Sequence, residues 1–126
     1  PSRPPAAKAR DLLDLAIDEA DAPQLRLERA QQSAALGEPH RALPDALVAR
    51  RARPGWSEAG LLLGRVYASL GDAAAAVALL EEAHRGQPGN PQLRRDLERA
   101  RLDLAHPEIE VGRLAQPPGG LPPGQR

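Results

Sequence analysis

The chain repeats itself at an interval of 34 residues. Shifted by that distance, Gly37 falls on Gly71, Glu38 on Asp72, Ala42 on Ala76, Ala49 on Ala83 and Pro54-Gly55 on Pro88-Gly89. At twice the interval, Pro23-Gln24-Leu25-Arg26 recurs as Pro91-Gln92-Leu93-Arg94. A period of that length is one helix-turn-helix unit of a solenoid. Each unit is too small to bury its own apolar face and must stack on its neighbours. Stacked helix pairs make extended curved surfaces, which are suited to holding other molecules.

Within each period the residues support two helices and a turn. Over 57–70, Ala59, Leu62, Leu63, Val66, Tyr67 and Leu70 recur at helical spacing. Gly71-Asp72 then supplies a stop and a start. Glycine tolerates the left-handed conformation that closes a helix, and aspartate caps the next one by accepting a backbone N–H bond. The segment 73–84 is a run of strong helix formers whose alanines let helix axes approach closely, and Gly86 and Pro88 end it. The same reasoning places helices over 6–20, 23–36, 39–53, 57–70, 73–86 and 91–105. The first, with the stripe Leu12, Leu13, Ala16, Ile17 and Ala20, does not fit the repeat register and reads as an N-terminal packing helix. Residues 1–5, Pro-Ser-Arg-Pro-Pro, read as an arm outside the helical domain at 6–106. Pro44 conflicts with the third helix, which either kinks there or begins near Leu43. The last helix, 91–105, carries Leu93, Leu97, Ala100 and Leu104 on one stripe and charges over the rest, as a solenoid cap does. Residues 107–126 are rich in Pro and Gly and read as an inert tail or linker.

The unit 57–90 resembles the tetratricopeptide repeat. Leu63-Gly64, Tyr67, Gly71-Asp72, Ala76, Leu80, Ala83 and Pro88 stand at that family's characteristic places. Gly60 replaces the usual Trp and His84 an apolar residue. The unit 23–56 keeps Ala30, Gly37, Ala42, Ala49 and Pro54, with Arg29 in place of the leucine and Ser33 in place of the aromatic. The resemblance implies an all-α, right-handed α-solenoid of about six helices, with repeats at 23–56 and 57–90 and a capping helix at 91–105. It also implies where a partner would sit, since in this family the first helix of each repeat lines a concave groove. Carried over residue by residue, the groove takes Gln24, Leu27, Gln31, Ala34 and Ala35 from one unit. The next contributes Glu58, Leu61, Arg65, Ala68 and Ser69, and the capping helix Gln92, Arg95 and Arg99. Gln31, Arg65 and Arg99 would form one polar row, and Leu27 and Leu61 an apolar row beside it. Members that grip the C-terminal carboxylate of heat-shock chaperones use a clamp of Lys, Asn and Arg. Here the matching places hold Leu27, Gln31, Leu62, Gln92 and Asp96, so that clamp is not expected.

Composition narrows the remaining classes. Seventeen basic residues balance seventeen acidic ones, so no global field draws in nucleic acid or an anionic membrane. One Trp, one Tyr and no Phe leave no base-stacking surface and a light core of Leu and Ala. No cysteine is present, so a disulfide framework, a thiolate metal site and a cysteine nucleophile are excluded. No apolar run approaches the roughly 20 residues of a membrane span. The chain carries no signal-peptide pattern. The compartment is left open, cytoplasmic by default and periplasmic for a processed or excised fragment. The Ala, Arg and Pro usage is common in GC-rich genomes and favours a bacterial origin. His40, His84 and His106 lie in separate segments without the second ligand of a helical metal site, so neither a metal nor another cofactor is expected. No catalytic constellation is visible. The expected role is a non-catalytic protein- or peptide-binding module, an adaptor, scaffold or assembly factor. Its partner would carry an acidic and apolar segment, with self-association possible. The alternative is a structural or oligomerisation module packing against a larger enzyme or complex.

Overall fold

The computed structural model describes residues 4–108. Over that range the chain forms six helices: α1 (Pro5–Glu19), α2 (Pro23–Ala35), α3 (Pro39–Ala52), α4 (Ser57–Ser69), α5 (Ala73–Gly86) and α6 (Pro91–Ala105). Four of them open on a proline. A proline in the first helical position gives up an N–H that would have no intrahelical partner there, and its fixed φ already suits the helix. That is why Pro5 begins α1 and does not belong to an arm ahead of it. The described part of the tail is a turn at 107–108; the rest of the tail, and residues 1–3, lie outside the described residues.

The repeat is clearest in its turns. After α2 the amide of Gly37 donates to the Ala34 carbonyl (3.0 Å) and that of Glu38 to the Ser33 carbonyl (3.0 Å). After α4 the amide of Gly71 donates to Ala68 (3.1 Å) and that of Asp72 to Tyr67 (2.9 Å). The two glycines have φ of +75° and +86°, the left-handed conformation this closure requires. Asp72 then accepts a bond from the Ala75 amide at 3.1 Å and so caps α5. Asn90 accepts from the Gln92 and Leu93 amides, both at 3.1 Å, and caps α6.

Helix α3 starts at Pro39 and runs through Pro44, so it does not begin near Leu43. The bond lost at Pro44 is the one its N–H would have given to the His40 carbonyl. Both residues are exposed, and water can take up that carbonyl.

Each helix packs on its neighbours in chain order. In addition, α2 touches α4 and α4 touches α6, whereas the backbones of α3 and α5 stay apart and the Arg50 side chain bridges to Glu82 at 2.8 Å. The axes of α2, α4 and α6 therefore converge, and these helices form the inner, concave side. Alanine makes the close stacking possible: Ala30, Ala42, Ala46, Ala49, Ala59 and Ala76 have no exposed surface. Gly64 serves the same end. A Cβ at this position would sit 3.0 Å from Cγ and Cδ2 of Leu80, so α4 lies against α5 where a side chain would crowd it. Leu80, Leu93 and Leu97 fill the α5–α6 core, and Leu63 and Val66 the central one.

The outer helices depart from expectation. In α1 only Ala7 and Ile17 are buried, and Leu12, placed on the expected stripe, is 68% exposed. Among the described helices α1 packs on α2 alone, so only part of its apolar surface is covered by them. At the other end Leu104 is about half exposed, because no described element lies over the last turn of α6.

Candidate functional site: the concave face

Two cavities open side by side on the inner face. The first, of about 680 Å³, lies between α2 and α4; it is lined by Gln31, Ala34, Ala35, Leu62, Arg65, Val66 and Ser69, with Gly37 and Pro39 at its edge. The second, of about 450 Å³, lies between α4 and α6; its lining includes Arg65, Ala68, Ser69, Gln92, Asp96, Arg99 and Asp103. Arg65 and Ser69 line both and join them into one trough. Of the groove residues expected from the sequence, Gln31, Arg65, Ser69, Gln92 and Arg99 are brought together here, with Ala34, Ala35 and Ala68 between them.

Others lie elsewhere. Leu27 is 2% exposed and packs among Ala49, Ala59 and Trp56, so it is a core residue that a partner cannot reach. The two alanines leave room that the Leu27 side chain fills. Leu61 is half-buried against the α5–α6 core and lines neither cavity. The expected apolar row of Leu27 and Leu61 is therefore not formed. The apolar wall comes from Leu62, Val66 and the alanines of α2. Gln24, Glu58 and Arg95 are exposed but lie outside both cavities.

The electrostatics of the trough also differ from a purely basic row. Arg65 Nε donates to Asp96 Oδ2 at 2.7 Å, across from α4 to α6. The second cavity thus holds two arginines and two aspartates, an environment that can both donate to a carboxylate and accept from an amide or ammonium group. Asp96 faces the cavity because it lies four residues after Gln92 and three before Arg99, on the same face of α6. Neither it nor Asp103 was among the expected groove residues.

A second cluster lies beneath α1. Asp45 of α3 is 4% exposed. Arg29 grips it from α2 with two bonds, from Nε and one terminal nitrogen, each 2.7 Å long. A terminal nitrogen of Arg26 adds a third at 3.2 Å. Arg26 in turn holds Asp21 (2.8 and 2.6 Å), and Arg29 reaches Asp14 of α1 at 3.0 Å. The hydrogen bond from Arg26 holds the Asp21 carboxyl below its ordinary value of 3.8. The bonds to Asp21 and then Asp45 raise Arg26; those to Asp45 and then Asp14 raise Arg29, against its partial burial. Arg10 pairs with Glu38, tying α1 to the start of α3 and lowering the Glu38 carboxyl below its ordinary 4.5. Each charge in these clusters faces an opposite one, and no described buried side-chain polar atom lacks a partner. The arrangement ties helices together and activates no group. Its sequence signal was Arg29, standing where the repeat has a leucine.

Among the described residues no three His, Cys, Asp or Glu side chains gather as metal ligands would. No described helix is long and apolar enough to cross a membrane.

Six helices in stacked pairs, with a concave trough on the shared inner face, define a helical-repeat protein of all-α solenoid class. Residues 57–102 match the family model of the tetratricopeptide repeat. Among solved structures the chain is similar to the Sgt2 TPR domain from Aspergillus fumigatus. The TM-score is 0.72 at 28% identity, over 90% of this chain and 74% of that one. No curated protein matches the chain in sequence. Residues 57–102 thus carry the repeat, and the described chain as a whole folds as an all-α helical-repeat solenoid similar to a TPR domain; TPR domains generally bind proteins or peptides.

Proposed function

We propose that the protein is a non-catalytic adaptor or assembly factor that holds a segment of a partner protein in the trough formed by α2, α4 and α6. The observation that carries this reading is the continuity of the two cavities through Arg65 and Ser69. Together they offer an apolar wall at one end and a charged one at the other. The partner segment is extended or helical. It seats an apolar side chain against Leu62 and Ala34 and offers a carboxylate to Arg99, which makes no ion pair among the described residues. The planar guanidinium suits a bidentate grip. Arg65 is a weaker candidate for that grip, because its Nε already serves Asp96.

A peptide library displaying acidic-apolar segments, screened against the protein and then titrated at two ionic strengths, tests this. Arg99→Glu is expected to weaken the best binder at least about tenfold, the factor that about 1.4 kcal/mol of lost charge attraction produces. Arg65→Gln, which removes the cation without placing an acid beside Asp96, is expected to weaken it less. Binding should also weaken as salt is raised, because exposed charges are screened within about 10 Å at 0.1 M. Equal affinity of wild type and Arg99→Glu for every selected peptide would overturn the reading.

A further inference from the structure

The two ends of the solenoid are unlike the rest of its surface. Every interior helix is flanked by a neighbour on each side, whereas α1 packs on α2 alone among the described helices, with the Arg10–Glu38 pair as a tie to the residue ahead of α3. The side of α1 turned away from α2 carries Leu12 and Leu15, 68% and 65% exposed, three residues apart and so next to each other on the helix. They are the two most exposed large apolar residues described. Asp18 and Glu19 flank them in the last turns, with Lys8 one turn before Leu12. At the opposite end the side of α6 turned away from α5 carries Leu102, half exposed, among Arg94, Arg95 and Arg99, with Glu98 between. One end is thus an apolar strip edged by acid, and the other an apolar spot edged by arginine.

We infer that these two ends join copies of the protein head to tail, with α1 of one molecule laid on α6 of the next. Three observations converge on a second copy as the occupant. The charges are complementary, Asp18 and Glu19 against Arg94 and Arg95. Both faces carry exposed leucine. The stacking order also continues: the inner-layer helices are α2, α4 and α6, so a following α1 takes the place of an outer helix that no described residue supplies to α6, and the next α2 resumes the inner layer. A junction of this kind is heterologous. It does not use the same patch twice, and copies add in one direction until a ring closes or a filament grows. It extends the trough of one molecule into that of the next, but it rests on the ends alone and stands or falls independently of what the trough binds.

The test is sedimentation velocity over a concentration series at low and high salt. Wild type is expected to form dimers and longer species that increase with concentration and are lost at high salt. Leu12→Arg/Leu15→Arg blocks one end and Leu102→Glu/Arg95→Glu the other; all four residues are exposed, and circular dichroism checks that each variant keeps the helical fold. Each variant alone is expected to stay monomeric. Mixed together they are expected to form a one-to-one dimer and nothing longer, because one complementary pair of ends survives. Wild type that stays monomeric throughout would overturn the inference. So would self-association of either variant alone, which would mean a symmetric contact or another surface, or a mixture that fails to dimerise.

Discussion

Replacing Asp45 by alanine is expected to destabilise the protein by about 3 kcal/mol, the lower part of the range for breaking a buried ion pair by removing one partner. The carboxylate is almost wholly buried and receives three bonds from two arginines. Without it, Arg26 and Arg29, neighbours on α2 three residues apart, are left with like charges side by side and only Asp21 and Asp14 as partners. Their side chains keep 24% and 22% of their exposure, so water recovers part of the loss, and the upper part of the range does not apply. For a domain of this size the melting temperature should fall by on the order of 15 °C. The double variant Arg29→Leu/Asp45→Ala restores the leucine that the repeat places here and removes the unpaired charge. It should recover much of the loss, because apolar replacements of buried ion pairs are often neutral or better. An Asp45→Ala variant that melts within a few degrees of wild type would show that the network contributes little.

The second large effect belongs to Leu80. It is 1% exposed, at the centre of the α5–α6 core and against the bare backbone of Gly64. Leu80→Ala is expected to cost about 3 kcal/mol, the lost burial together with the cavity left behind. Gly64 makes a sharper test possible. Its missing Cβ would lie 3.0 Å from Leu80, so a methyl added there enters the space the truncated side chain vacates. In a Gly64→Ala background the Leu80→Ala change should therefore cost less than it does alone, a coupling that a double-mutant cycle in urea reads directly. Strict additivity would mean that the two residues do not share one packing contact.

Much of this architecture was legible in the sequence because it depends on local chemistry. Gly37 and Gly71 mark turns since almost only glycine adopts that φ, and the alanines 34 residues apart mark contacts where bulk is excluded. What escaped depends on which surfaces meet. Leu12 belongs to an apolar stripe by spacing, yet spacing does not reveal that, among the described helices, α1 has a neighbour on one side only. Leu27 stands at a groove position of the repeat, yet Ala49 and Ala59, from two other helices, decide that it is buried. Arg29 was visible as a departure from the repeat. Its partner Asp45, sixteen residues on, was not, since the pairing exists only once α3 folds back on α2. Arg65 was read as free to bind because Asp96, a residue of α6, approaches it only through the stacking of that helix on α4.

The claim that α2, α4 and α6 form the binding face is tested most directly by mapping backbone amide shifts while titrating the tightest acidic-apolar peptide from the library. The largest changes are expected along one line, at Gln31, Ala34, Ser69 and Gln92, with Arg99 following at its end. Shifts gathered on the outer helices α3 and α5, or scattered over the surface with that line unmoved, would contradict it.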